Sequence, residues 1–247
     1  MIELAKISTM PPPAVDEETI KEQTEQWVEA IGDLQEILYA QKKYSLLVIF
    51  QGMDGSGKDG AVKKVFKECH PNGLSVYSFK KPTEQEFAHD FLWRVHQRVP
   101  EKGMIQIFNR SHYEDILIQR VHGWIDDERV ANRMRAINAF EHLLQSENNT
   151  LILKFFLHIS YEQQEQELLE RQHEKDKFWK HNDNDWKERQ HWPEYRRCYE
   201  YAIHHSEIPW VIVPVDKRWY RDYIVARTLL ETLRSLPLEY PPLITSK

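Results

Sequence analysis

Residues Gly52-Met53-Asp54-Gly55-Ser56-Gly57-Lys58-Asp59-Gly60 leave this chain few folds to choose from. The stretch before them, Ser45-Leu46-Leu47-Val48-Ile49-Phe50, is a short apolar run of strand formers. The stretch after them places Ala61, Val62, Val65, Phe66 and Cys69 on one helical face, with Lys63, Lys64 and Lys67 on the other. Strand, glycine-rich turn, lysine and helix form the context in which backbone N–H groups cradle phosphate. Gly55, Gly57, Lys58, Asp59 and Gly60 are therefore the loop's phosphate-binding candidates. The helix N-terminus adds positive character there, and Lys58 reaches the outer phosphates. Asp59 and Gly60 stand where a hydroxyl residue ordinarily follows the lysine and holds Mg²⁺. The metal ligand then comes from elsewhere, and Asp54 is the nearest candidate. A carboxylate inside such a loop repels phosphate unless a cation lies between them. The plain alternative for Asp54 is a turn stabilised by its own side chain.

Four more apolar runs read as strands, at 74–79, 104–108, 151–159 and 209–215, and helical patterns separate them. The expectation is one α/β domain over 1–247, a five-stranded parallel sheet wrapped on both faces. Residues 1–44 supply an extended arm containing Pro11-Pro12-Pro13, then a helix capped by Asp16 with the stripe Ile20, Trp27, Ile31, Leu34 and Leu38. Residues 45–160 make the core, 161–192 a lid, and 193–247 the rest of the core. Thr83 to Glu86 is a capping box opening a helix expected to turn Phe87, Phe91, Val95 and Val99 inward. A helix over 126–144 carries Val130, Met134, Ile137, Leu143 and Leu144, and one after Ser160 carries Leu168 and Leu169. Beyond it the apolar period fades into the charged run Arg171 to Lys180, either a lid closing over phosphates or a solvated face.

Ligands of open α/β sheets bind outside the carboxyl ends of the strands. Lys80 and Lys81 end the second strand, as ligand contacts or as solvated turn residues. Asn109-Arg110-Ser111-His112-Tyr113-Glu114-Asp115 ends the third, where P-loop enzymes position metal and attacking group. Arg110 is placed to neutralise charge on a transferring phosphoryl group. Glu114 and Asp115 either contact the acceptor, directly or through Mg²⁺, or favour the first turn of a helix. A formal charge of −6 argues against a nucleic-acid coat while leaving room for a local basic groove. Two cysteines, no apolar run of membrane-spanning length and no signal peptide set the expectation of a cytoplasmic protein without a membrane partner.

The combination of Gly52-x-Asp54-x-x-Gly57-Lys58-x-Gly60, Asn109-Arg110-Ser111-x-Tyr113, Arg171 with Trp179-Lys180, and Trp219-Tyr220-Arg221 resembles the polyphosphate kinase 2 family over nearly the whole chain. The resemblance implies a three-layer α/β/α P-loop kinase fold like thymidylate kinase, with a helical lid. It implies Mg²⁺-dependent phosphoryl transfer between inorganic polyphosphate and an adenine or guanine nucleotide, in a homo-oligomer, often a tetramer. Residue by residue, it places the family's loop aspartate and lysine on Asp54 and Lys58, its Walker B pair on Asn109 and Arg110, and its lid arginine on Arg171. Nucleotide contacts fall on Ser111, Tyr113, Glu114, Asp115 and Lys180, and metal ligation on Asp54 and Glu114. Many members carry aspartate where this chain has Asn109, so a metal-carboxylate role does not carry over at that position. Glu114-Asp115 after Tyr113 resembles the branch that accepts AMP as well as ADP. Lys63, Lys64, Lys67, Lys80 and Lys81 gather around the loop by sequence position, as a polyanion requires. An ATP-dependent nucleoside monophosphate kinase on the same fold and a non-catalytic polyphosphate-binding protein are the competing readings.

Overall fold

Seven consecutive residues, Ser45–Gln51, form β1, and every one is buried. Such a strand needs a partner on each edge and a layer on each face, and the rest of the chain supplies them. In the computed structural model, which describes residues 2–243, β2 (Leu74–Ser78), β3 (Ile105–Asn109), β4 (Thr150–His158) and β5 (Trp210–Pro214) follow. All pairings are parallel, in the order β2-β3-β1-β4-β5. Val48 faces Ile107 on one side and Leu153 on the other. Burying each large apolar side chain of β1 contributes roughly 1.5–3 kcal/mol, so the strand ahead of the phosphate loop is firmly anchored.

The helices are α1 (Glu17–Gln41), α2 (Lys58–Val65), α3 (Glu84–Phe87), α4 (Trp93–His96), α5 (Glu114–Val121), α6 (Asp127–Asn148), α7 (Tyr161–His173), α8 (Asp183–Arg189), α9 (Trp192–His205) and α10 (Arg218–Arg234). α1, α2 and α10 pack over one face of the sheet. α5, α6 and α9 cover the other. Asp16 caps α1 by accepting from the Thr19 N–H at 2.8 Å. Trp27 of α1 stacks on Tyr223 of α10, with ring centroids 5.0 Å apart. No helix among the described residues is long and apolar enough to cross a membrane.

Three local expectations need correction. The capping box at Thr83 forms, but the helix it opens lasts one turn, and Phe87 is 77% exposed rather than inward. Asp90 ends it: its side chain accepts from the Leu92 N–H at 2.9 Å and restarts the chain as α4, which buries Val95. α6 runs on to Asn148, and Leu143 and Leu169 lie off the buried stripes of their helices and are exposed. The N-terminal arm is tied down. Leu4 is buried, His158 Nε2 lies 3.1 Å from the carbonyls of Leu4 and Ile7, and Thr9 Oγ1 donates to Asp216 Oδ2 at 2.7 Å.

Candidate active site

The phosphate loop leaves β1 at Gly52 and enters α2 at Lys58. Gly57 sits in the left-handed region at φ 82°, and a Cβ there would overlap the Arg221 guanidinium. Arg221 comes from the first turn of α10, and its Nη1 donates to the Gly57 carbonyl at 3.1 Å. A Cβ on Gly60 would stand 3.1 Å from Arg221 Nη2. Gly60, two residues after the lysine, thus makes room for an arginine against the loop.

Lys58 Nζ donates to the Gly52 carbonyl at 2.8 Å and to the Met53 carbonyl at 3.2 Å. Burial pushes its ammonium down to about 8, although Asp54 pulls in the other direction. Asp54 accepts from Arg110 Nη2, and its backbone carbonyl accepts from Gln164 Nε2 of α7 at 2.8 Å. Burial alone would raise the Asp54 carboxyl, but Arg110 and Lys58 outweigh it and hold the group below its ordinary value. Arg110 occupies the left-handed region at φ 61°, with its N–H donating to the Phe50 carbonyl at 3.0 Å. A non-glycine residue held there marks a site fixed by its surroundings.

The charged segment from Arg171 to Asp185 lies against the loop. Lys180 Nζ donates to Asp59 Oδ2 at 3.0 Å, while Asn109 Nδ2 donates to Asp59 Oδ1 at 2.5 Å. Asp59 therefore joins the loop, the end of β3 and the lid. Arg171, near the end of α7, donates to Asp185 Oδ2 of α8 at 2.7 Å. Burial and then the nearby Asp54 charge push the Asp185 carboxyl up to about 6, against the pull of Arg171.

A groove of about 560 Å³ runs over the loop. Lys58, Lys80, Arg110, Arg171, Lys177, Lys180, Arg218 and Arg221 line it, against the three carboxylates Asp54, Asp59 and Glu167. Trp179, 78% exposed, stands at its lid side. Eight cations line one track on a chain of formal charge −6, and six of them are paired with carboxylates that a bound polyanion would replace. A smaller cleft of about 130 Å³ lies across the Asp54–Arg110 pair and is lined by Glu114, Asp185, Glu188 and Tyr195. Burial raises the Glu114 carboxyl; Arg110 and Lys58 oppose the rise, and Asp54 adds to it.

Asp54, Gly55, Gly57, Lys58, Asp59, Gly60, Lys80, Asn109, Arg110, Arg171 and Lys180 thus meet in one groove, with Glu114 just across it. Other candidates lie elsewhere, in correction of their sequence-based placement. Lys64 pairs with Glu25 of α1, as does Lys67 at 2.7 Å. Lys63 and Lys81 are exposed outside the groove. α2 rises about 1.5 Å per residue, so Lys64 near its end and Lys67 just beyond it leave the loop behind and meet α1. Ser111 and Tyr113 are fully buried behind the turn. Asp115 is buried too, 3.5 Å from Arg94 Nη2 and accepting from Gln119 Nε2 at 2.7 Å. Lys177, Arg218 and Asp185 escaped the sequence reading, and Arg221 was quoted in a motif without a role at the site. Arg218 and Arg221 follow β5 at helical spacing, a strand-end signal equivalent to the one that exposed Arg110.

The donor set fits Mg²⁺. Asp54 and Glu114 line one cleft and repel each other. Mg²⁺ ordinarily uses one or two carboxylates and completes its shell with water and phosphate oxygens. Among the described residues, no three His, Cys, Asp or Glu side chains converge into an all-protein cage.

Known proteins share this architecture. A family profile described as polyphosphate kinase 2 matches residues 14–239. An AMP/ADP-polyphosphate phosphotransferase of Meiothermus ruber is 47% identical over 211 residues, covering 84% of this chain and 79% of the relative. An ADP-polyphosphate phosphotransferase of Rhodopseudomonas palustris is 41% identical over 229 residues, covering 87% and 79%. The crystal structure of polyphosphate kinase 2 from Arthrobacter aurescens superimposes with a TM-score of 0.95 at 36% identity, over 100% of this chain and 90% of that one.

Proposed function

Because this chain belongs to the polyphosphate kinase 2 family, we propose that it transfers the terminal phosphoryl group of inorganic polyphosphate to AMP and to ADP, with Mg²⁺. The groove carries this reading. A polyanion is bound by cations strung along a track, and eight line this one up to the phosphate loop. Similarity to phosphotransferases named for polyphosphate with AMP or ADP favours it over an ATP-dependent kinase.

In the reaction, a terminal phosphate oxygen of the acceptor attacks the terminal phosphorus of polyphosphate. The bond from that phosphorus to the bridging oxygen breaks, and the chain leaves one phosphate shorter. AMP becomes ADP, and a second round gives ATP. Little covalent work falls to the protein, so catalysis is positioning and charge neutralisation. Lys58 and the loop amides hold the transferring group from below, Arg110 meets its equatorial oxygens, and Arg171 reaches it from the lid. Asp54 and Glu114 would hold Mg²⁺, which would neutralise phosphate charge there. Glu114, on the far side of the Asp54–Arg110 pair, faces the acceptor.

The test is product analysis with polyphosphate as sole donor and AMP as sole acceptor. Sequential appearance of ADP and ATP is expected. ADP consumption without any AMP phosphorylation would restrict the acceptor to ADP, and transfer from ATP to AMP without polyphosphate would restore the monophosphate-kinase reading.

Lys58 also predicts a pH limb. Its ammonium carries the charge only below about 8, so kcat/KM for polyphosphate should fall by up to about tenfold per pH unit above that value. Bound polyphosphate favours the protonated form, so the limb in kcat should lie at higher pH. A flat kcat/KM profile between about pH 7 and 9.5 would show that Lys58 keeps its charge in the free protein.

A further inference from the structure

Directly behind the turn that carries Arg110 lies a cluster of charged and polar side chains sealed from water. Lys154 of β4, Glu141 of α6, and His112 and Tyr113 of the turn are each 0% exposed. Lys154 Nζ donates to Glu141 Oε2 at 2.6 Å and to the Tyr113 phenol oxygen at 2.7 Å. The Tyr113 hydroxyl donates to Glu141 Oε1 at 3.0 Å and lies 3.0 Å from Ser206 Oγ. His112 Nε2 sits 3.4 Å from the same Glu141 oxygen.

Stability alone does not require this cluster. Taking an ammonium and a carboxylate out of water costs more than their attraction returns unless the geometry is excellent, and apolar residues of similar volume often serve stability equally well. Position accounts for it better. Tyr113 is the N-cap residue of α5, the helix whose first residue is Glu114. Its N–H donates to Ser111 Oγ at 3.2 Å, and that hydroxyl also accepts from Gln51 Nε2 of β1 at 3.0 Å. Arg110, just before, is held in left-handed backbone and aimed at Asp54. Such a conformation persists only where the surroundings over-determine it. The ring of Tyr113 reaches back into the charged cluster while its backbone starts the helix carrying Glu114.

We propose that Lys154 and Glu141, acting through Tyr113, are positioning residues for phosphoryl transfer: they lock the 110–114 turn so that Arg110 and Glu114 meet the reacting phosphates. Neither touches substrate. The inference rests on the reading that polyphosphate is the donor at this site.

Tyr113→Phe keeps the ring and removes the hydroxyl link. It is expected to lower kcat about 10- to 100-fold, the scale of a misplacement of about one ångström, with KM for polyphosphate within about twofold. Its thermal midpoint should fall, because Lys154 and Glu141 each lose a buried partner. The double variant Lys154→Met/Glu141→Leu should retain or raise the midpoint and show the same loss in kcat. In an Arg110→Ala background, Tyr113→Phe should cost clearly less, because one of the two residues it positions is gone. A purely structural role would lower kcat only as far as the midpoint falls, would spare kcat in a double variant that keeps its midpoint, and would persist undiminished beside Arg110→Ala. Wild-type kcat in Tyr113→Phe, or an undiminished loss beside Arg110→Ala, overturns the inference. Failure of the wild type to use polyphosphate overturns the reading of the donor instead, so the two are told apart by the unmutated protein. Should the double variant not fold, Tyr113→Phe and its cycle with Arg110 still decide.

Discussion

Alanine at Lys58 or at Arg110 is expected to lower kcat by about 10²–10³, equivalent to about 2.7–4 kcal/mol of transition-state stabilisation, while the protein stays folded. Both side chains bring positive charge to the phosphoryl group in flight, from different directions. Lys58 rises from the first turn of α2, anchored by loop carbonyls that fix its ammonium over the concavity. Arg110 comes from the end of β3 on a turn that holds its backbone left-handed. Neither is a keystone of the core. Removing Lys58 relieves the cost of burying an ammonium, and Arg110 is only half-buried. Circular dichroism and thermal midpoints should therefore stay near wild type while turnover collapses. The two losses should not add in the double variant, since both groups serve one transition state. Near-normal turnover in either single variant would remove that residue from the catalytic set.

Much of this site was legible in the sequence, for a definite reason. Residues at strand ends are named by where an apolar run stops, so the loop after β1 and the Asn109–Glu114 segment after β3 could be placed together without coordinates. The direction in which a side chain leaves its element is another matter. Lys64 and Lys67 are close to Lys58 in sequence, yet α2 and the turn after it carry them to Glu25 of α1. Tyr113 stands among groove residues in the chain, but its ring turns inward to Lys154 and Glu141. Phe87 sat in a plausible stripe whose helix Asp90 cuts short. Arg218 and Arg221 were visible at the end of β5 and went unassigned, because an arginine at the start of an amphipathic helix is ordinarily a solvated residue. Lys154 inside an apolar strand and Glu141 inside a buried helical stripe were the opposite case. They broke the pattern openly, and only the fold shows that they answer one another.

Asp54→Asn is expected to raise the Mg²⁺ concentration for half-maximal rate at least about tenfold and to lower kcat at saturating Mg²⁺ by about 10². The argument starts from charge. Arg110 and Lys58 hold the Asp54 carboxyl below its ordinary value, so it is anionic throughout the neutral range and needs a cation whenever phosphates approach it. Asparagine keeps the shape and the loop turn while removing that charge. Glu114 completes the pair, and its behaviour with pH has the opposite sign. Its carboxyl is raised by burial, so protons compete with metal there first as pH falls. The Mg²⁺ requirement of the wild type should therefore rise on acidification, and Glu114→Gln should show a requirement that is already high and nearly independent of pH. Asp54 also accepts from Arg110, so a second role is built into the same carboxylate. Titrating Mg²⁺ at fixed, saturating polyphosphate and ADP separates the two. If Asp54→Asn is slow but has the wild-type Mg²⁺ midpoint, the carboxylate serves to aim Arg110 and the metal is held without it.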